Sequence, residues 1–331
     1  MAQWVSVIVT VLNEVDTIDR LLSSLLGQTR QPDEVVIVDG GSSDGTLEKL
    51  ARFSREQVFP VTVLSRPGCS ISEGRNAAIA AAQGPIIAST DAGVRLEEDW
   101  LAQLVAPFGG NDPPDVVSGF FISDPGSLFE RVLGAVTLPR LQEIDVSTFH
   151  PSSRSVAFRR EAWEAVGGYP EWLDYCEDLV FDFALRDAGF SFAFAPRAVA
   201  HFRPRPTLRA YVKQYYRYAR GDGKADLWRY RHLVRYATYL VALPLLLALS
   251  VAHHPLWLLA LAGGALVMMR APIRRLWPEL GDLTVREKLT ALCWMPIIRW
   301  SGDIAKMVGY PVGVCWRWRH APKGTWAKRQ L

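Results

Sequence analysis

Four loops of this chain carry side chains able to do chemistry, and each follows a short run rich in β-branched residues. Asn13-Glu14 follows the run 5–11, Asp39 closes 34–39, Ser65-Arg66 follows 61–64, and Asp91 follows 86–90. A carboxylate accepts hydrogen bonds from hydroxyl and N–H groups and can share a divalent cation. Taken singly, each of these carboxylates also reads as a helix cap or a turn residue. Set side by side they read as a site, because ligands of an open parallel sheet bind beyond the carboxyl ends of its strands. Neither G-x-G-x-x-G nor G-x-x-x-x-G-K-[ST] occurs, which argues against a dinucleotide fingerprint and a P-loop. A nucleotide bound at this edge would be held through its base, its ribose and a metal.

The elements that must position these loops are legible in the hydrophobic period. Residues 5–11 are rich in β-branched residues and read as a buried strand, and Ile18, Leu21, Leu22, Leu25 and Leu26 lie on one face of the helix that follows. The second run ends in Asp39-Gly40-Gly41-Ser42-Ser43-Asp44-Gly45-Thr46, a turn that caps another helix. Strands at 61–64 and 86–90 alternate with helices at 73–82 and 98–107. This βαβα series predicts an α/β fold, a mainly parallel sheet with helices on both faces. From 116 to 194 the pattern is mixed, with strands at 116–122 and 155–159 and a helix at 177–188, and this half is expected to carry the acceptor side. An aromatic, basic helix is expected at 211–220.

A chain of 331 residues has room for two domains. Its 37 Lys and Arg against 34 Asp and Glu leave a net charge of +3, which gives no support to a nucleic-acid partner. The distribution is more informative. Residues 203–235 hold ten Lys or Arg and two acids, Asp222 and Asp226, and run straight into an apolar segment, as a basic collar beside anionic lipid would. Residues 236–269 contain no Asp, Glu, Lys or Arg. One helix of that length would measure about 51 Å, too long for a bilayer core of about 30 Å. His253-His254-Pro255 supplies the expected break, so a hairpin through the bilayer and a shallow re-entrant pair both remain open. Basic residues on both flanks put both ends of a hairpin in the cytoplasm. Residues 289–316 are expected to form an amphipathic interfacial helix, followed by a basic tail over 317–329. The other reading of 236–269 is a buried helical hairpin of a soluble protein. Cys69, Cys176, Cys293 and Cys315 show no pairing rhythm, which suits a reducing compartment. No cleaved secretory signal is evident, so the N-terminal domain is expected in the cytoplasm.

Four segments in order carry a resemblance to a known family. They are Val7-Ile8-Val9-Thr10-Val11-Leu12-Asn13-Glu14, the segment from Val35 through Asp39 to Thr46, Gly74-Arg75-Asn76-Ala77-Ala78, and Thr90-Asp91-Ala92-Gly93. Together they resemble the family 2 glycosyltransferases of GT-A fold over about residues 4–220. The resemblance implies that Glu14 and Asp39, with Thr10, Asn13, Gly41 and Ser42 around them, contact the base and ribose of a uridine-type donor. It places Arg75 near the donor and Asp91 at the first position of the family's DxD motif, on the ribose or on a Mg²⁺ or Mn²⁺ ion that neutralises the leaving diphosphate. Gly93 stands where that motif has its second Asp. His201 resembles a late histidine that completes the metal site in some members. Glu177-Asp178 matches the family's acidic pair, with Asp178 as the general base of an inverting transfer. Gln214 and Arg217 resemble a degenerate Q-x-x-R-W motif, with Tyr218 in place of Trp, and Arg217 would meet the diphosphate.

The expectation is a metal-dependent, inverting glycosyltransferase on residues 1–220, held by residues 221–331 at the cytoplasmic face of a membrane. Its donor would be a UDP-sugar or similar nucleotide-sugar and its acceptor a lipid-linked or other saccharide. Two alternatives stay open, a nucleotidyltransferase and a catalytically silent nucleotide-sugar-binding scaffold in the membrane. The first lacks the glycine-rich phosphate loop it needs, and the second is motivated by the missing second Asp.

Overall fold

The computed structural model describes residues 4–56 and 59–320, so the expected basic tail beyond His320 lies outside the described residues. The chain divides into two compact units, one made of Met1–Asp124 with Arg140–Arg203 and the other of Pro125–Pro139 with Pro204–Leu331.

The first unit is built on an eight-stranded sheet. Its strands are β1 (Val5–Val11), β2 (Glu34–Asp39), β3 (Val61–Ser65), β4 (Ile86–Asp91), β5 (Val94–Leu96), β6 (Val116–Ser123), β7 (Val156–Arg159) and β8 (Phe192–Phe202). The order across the sheet is β3-β2-β1-β4-β7-β6-β8-β5. The first four strands in that order pair in parallel, as the βαβα pattern predicts. Beyond them β7 runs antiparallel to both neighbours, β8 lies parallel to β6, and β5 is antiparallel to β8. The sheet is therefore mixed. Helices α1 (Ile18–Leu26), α2 (Thr46–Glu56), α3 (Ile71–Ala81), α4 (Trp100–Val105), α6 (Arg160–Ala165) and α7 (Glu177–Asp187) complete this unit.

Strands covered on both faces explain the runs rich in β-branched residues. In β1, Val5, Val7, Val9 and Val11 enter one core with Leu21 and Leu25, while Ile8 enters the other with Ile79 and Phe181. Val35 and Ile37 against Val36 and Val38 repeat the division in β2. Strand β8 was not legible in the sequence. Its register against β6 shifts between Ser118 and Phe120, and the surplus residues on β8 include Pro196, which lacks a ladder N–H.

The second unit is helical, with α5 (Leu128–Thr137), α8 (Leu208–Ala225), α9 (Arg229–Tyr236), α10 (Leu243–Ala252), α11 (Trp257–Leu276) and α12 (Val285–His320). A π-helical turn at Ala237–Ala242 joins α9 to α10. The apolar segment thus becomes two helical stretches, Arg229–Ala252 and Trp257–Leu280, of 24 residues each. The break falls at His253–Leu256, where His253-His254-Pro255 stands. Each half recruits its basic flank into the helix and reaches about 36 Å, enough by length and composition to cross a membrane.

The 36-residue α12 differs from a helix lying on a surface with its charges outward. Gly302, Asp303, Gly309, Tyr310 and Gly313 are buried. A Cβ at Gly309 or Gly313 would strike the backbone carbonyl of Tyr216 or Arg220 on α8, so glycine permits this helix contact. Asp303 pairs with Arg235 Nε at 2.8 Å and Arg299 Nε at 3.4 Å and accepts from Tyr239 Oη at 3.0 Å. Trp300, Ile304, Val308 and Val312 are exposed. The polar side of this helix turns inward because its buried carboxylate finds cations there.

Candidate functional site

Register brings the strand-end residues of the first unit to one edge. Val11 lies opposite Asp39 on β2, and Thr10 opposite Asp91 on β4. The loops beyond β1 and β2 are cross-braced. Asn13 N donates to Ser42 Oγ (2.8 Å), Ser43 N to Asn13 Oδ1 (2.9 Å) and Glu14 N to Thr46 Oγ1 (2.9 Å). Asn13 adopts a left-handed backbone at φ 54°, a conformation that asparagine tolerates better than most residues.

Asp39 is fully buried at the close of β2. Its Oδ1 accepts from Gly41 N (2.8 Å) and Ser42 N (2.9 Å), while Oδ2 is buried with no hydrogen-bond partner among the described residues. An acceptor left over in this way fits a donor group that the chain does not itself supply. Gly41 has φ 99°, and a Cβ there would come to 3.0 Å from Pro67 Cα. Glu14 bonds Thr17 Oγ1 through its carboxylate, and its Oε2 lies 3.7 Å from where a Cβ at Gly93 would stand. The side chain after β1 and the glycine at the second DxD position are therefore neighbours.

The densest charge cluster joins β4, α3 and α7. Close packing of α3 on β1 sets its position, since a Cβ at Gly74 would come to 2.9 Å from Thr10 Cγ2. A capping box between Ser70 and Glu73 fixes where the helix starts. Arg75 then reaches both neighbours, with Nη1 2.6 Å from Glu177 Oε1 and Nη2 3.0 Å from Asp91 Oδ1. Its guanidinium lies over the Tyr169 ring, 5.3 Å from the centroid. Asp178 is half-buried, and its Oδ1 accepts from Leu179 N at 2.9 Å. Burial pushes the carboxyls of Glu177 and Asp178 above their ordinary range, and Arg75 opposes that push. One helical turn on, Asp182 is 3% exposed and burial raises its carboxyl well above the usual value. A carboxyl of raised pKa and partial access is suited to taking up a proton.

The two residues that the resemblance assigns to a metal have other partners. Asp91 sends Oδ1 to Arg75 and Oδ2 to Arg154 Nε, 3.5 Å away. The His201 ring is held by Glu97, and β8 sets His201 opposite Arg95. Among the described residues no group of three or more His, Cys, Asp or Glu side chains could hold a metal ion. These side chains do not fit the implied ligand set, and no step below is drawn through a metal. Gln214 and Arg217 lie on α8 in the second unit, where Gln214 Nε2 donates to Tyr218 Oη at 2.7 Å. Arg154, Tyr169 and Asp182 were missed in the sequence. Asp182 had a signal, being four residues from Asp178 on one helix face. Arg154 belongs to no motif.

Comparison with known proteins bears on the family and the fold. Residues 6–167 match the family model described as Glycosyl transferase family 2, and residues 142–299 match Glycosyl transferase family group 2. The chain is similar to the glycosyltransferase AglE of Haloferax volcanii, 28% identical over 236 residues that make up 68% of this chain and 74% of the relative. Among solved structures it resembles the mannosyltransferase PcManGT of Pyrobaculum calidifontis in complex with GDP-Man and Mn²⁺. That likeness has a TM-score of 0.59 and 20% identity, covering 96% of this chain and 88% of the other. It also resembles residues 1–349 of TarS from S. aureus in complex with UDP, with a TM-score of 0.50 and 19% identity over 96% and 92%. These two likenesses speak for the fold, while two matching models of one group, spanning residues 6 to 299 between them, decide the lineage: the chain belongs to the family 2 glycosyltransferases.

Proposed function

We propose that this chain transfers a sugar, with inversion at C1, from a nucleoside-diphosphate sugar to a hydroxyl of a lipid-linked saccharide at the cytoplasmic face of a membrane. A UDP-sugar is the favoured donor. The observation that carries the reading is Arg75, which ties Asp91 at the end of β4 to Glu177 at the start of α7 with Asp178 beside it.

In this scheme Asp39 and Glu14 accept from the base and ribose of the donor, and the partnerless Oδ2 of Asp39 supports that role. Asp91 lies toward the ribose and the diphosphate. Asp178 accepts the proton of the acceptor hydroxyl while its oxygen forms a bond to C1. The bond from C1 to the phosphate oxygen breaks, and the electron pair leaves with the nucleoside diphosphate. One base is sufficient, because an inverting transfer has no covalent enzyme intermediate. Arg75 keeps the two acidic residues at its ends in register.

The membrane part of the proposal rests on the two 24-residue apolar stretches. Their basic ends, Arg229 to Arg235 and Arg270 to Arg275, support a cytoplasmic side for both ends under the positive-inside rule. A basic run before the first stretch supports a site near anionic headgroups.

The test is calorimetric titration of the detergent-solubilised chain with UDP, GDP and CDP, followed by transfer assays with polyprenyl-linked and soluble saccharides. Binding of one nucleoside diphosphate and transfer to the lipid-linked acceptor are expected, with NMR showing inverted anomeric configuration. Binding of none, or efficient transfer to soluble saccharides alone, sinks the reading.

A further inference from the structure

A donor diphosphate brings negative charge to a place already lined by Asp91, Glu177 and Asp178, so a cation must meet it. Arg75 is committed elsewhere, since its side chain is 4% exposed and its two Nη atoms serve Glu177 and Asp91. Arg154 stands at the other oxygen of Asp91, and 25% of its side chain is exposed. It is a cation of this cluster with surface to offer a ligand.

Several contacts hold Arg154 in place. Thr90 Oγ1, one residue before Asp91, donates to the Arg154 carbonyl at 3.0 Å. The next residue, Ser155, accepts from the Trp100 indole N–H and donates to the Ala198 carbonyl, both at 2.8 Å. Arg154 Nη1 donates to Ser152 Oγ at 3.3 Å. The guanidinium lies against two rings, 4.7 Å from the Phe202 centroid and 5.8 Å from that of Phe121. A donor fixed before the reaction stabilises developing charge without reorganising during it. Guanidinium keeps its charge across the working pH range, and its planar fork matches phosphate oxygens. Gly93 offers no second carboxylate that would bind a charge-neutralising ion at this edge.

We propose that Arg154 contacts the diphosphate of the nucleotide-sugar and stabilises the charge that builds on it as the C1–O bond breaks. This rests on the reading of the first unit as the transfer site with Asp178 as base. No atom is transferred to Arg154, and the electron pair of the breaking bond stays on the diphosphate oxygen.

The experiment uses the full chain in nanodiscs containing host lipid extract, supplied with UDP-, GDP- and CDP-hexoses, and reads release of nucleoside diphosphate. Wild type and Asp178→Asn are compared first, and no release by wild type, or full release by Asp178→Asn, defeats the underlying reading rather than this one. With that control in hand, Arg154→Ala and Arg154→Gln are expected to lower kcat by about 10²–10³-fold, the effect of removing one donor to a developing anion. Affinity for the nucleoside diphosphate should fall, while affinity for the nucleoside without phosphate stays within about twofold, which also shows that the variants are folded. Arg154→Lys should recover part of the loss, and added guanidinium should raise the rate of Arg154→Ala. The proposal is overturned if Arg154→Ala keeps kcat within about threefold of wild type. It is equally overturned if the loss is relieved by neither lysine nor guanidinium, or if nucleoside binding falls as much as diphosphate binding.

Discussion

The two units each have an apolar core but differ in what their surfaces expose. The first hides β1, β2 and β4 between two apolar cores and brings its charges together at one sheet edge. The second buries Asp222, Asp226, His232 and Asp303 and leaves Leu240, Val241, Leu247, Val251, Leu259, Leu266 and Val267 exposed on its apolar helices. His232 Nε2 lies 3.1 Å from Asp222 Oδ2, and its ring stacks on Tyr310 at 3.9 Å, so even the imidazole is internally satisfied. An apolar exterior over a paired polar interior is stable against hydrocarbon and costly against water. On the proposed membrane reading the two units face different solvents, and each follows the same rule that polar groups go where they find partners.

The sharpest way to probe that contrast is to remove a function from one unit and leave the other intact. Asp178→Asn should lower kcat by about 10³-fold with nucleoside diphosphate affinity unchanged, since only the proton acceptor is lost. Single-turnover transfer and calorimetry on the same preparation would check this, and a rate near wild type would remove Asp178 from the mechanism. Leu247→Arg, at a position half exposed on α10, should cost about 3 kcal/mol of membrane insertion. Retention of the variant in alkali-washed membranes at wild-type levels would break the comparison. In the second unit, Gly309→Val forces a side chain against the Tyr216 carbonyl and should destabilise the α8–α12 packing by about 1–3 kcal/mol or more. A thermal melt of the solubilised protein would register it. Asp39→Ala removes the cap on Gly41 N and Ser42 N together with the partnerless oxygen, and should weaken nucleoside diphosphate binding about 10-fold.

The smallest effect is a pH dependence confined to the first unit. Burial raises the Asp178 carboxyl, so kcat/KM should fall as pH drops through a value above the ordinary aspartate range, and a limb at that ordinary range would contradict the burial argument. Stability runs the other way. Glu177, Asp178 and Asp182 hold their protons more tightly folded than unfolded, so their contribution is complete below the unfolded carboxyl pKa and declines as pH rises through the raised folded values. The melting temperature should therefore rise as pH is lowered from neutral toward the ordinary carboxylate range, where acids of lowered pKa such as Asp44 and Glu73 begin to lose their hydrogen bonds.

Local chemistry was readable residue by residue. Apolar runs doubly covered by helices announce β1, β2 and β4, the Gly-Ser-Asp turn after Asp39 announces its own hydrogen bonds, and His253-His254-Pro255 announces a helix break, because each signal lies within a few residues of its effect. Strand β8 escaped because its pairing depends on a bulge at Pro196 and on a partner strand far earlier in the chain. The inward turn of Asp303 escaped for a similar reason, since Arg235 supplies a cation from another helix. At the candidate site the sequence by itself determined which carboxylates stand at strand ends and that Glu177-Asp178 opens a helix. Only the tertiary structure decided that Arg75 would join Asp91 to Glu177, that Arg154 would take Asp91's other oxygen, and that His201 would go to Glu97. Charge partners are chosen by distance in space, and distance between remote residues is set by strand register and helix packing rather than by any pattern along the chain.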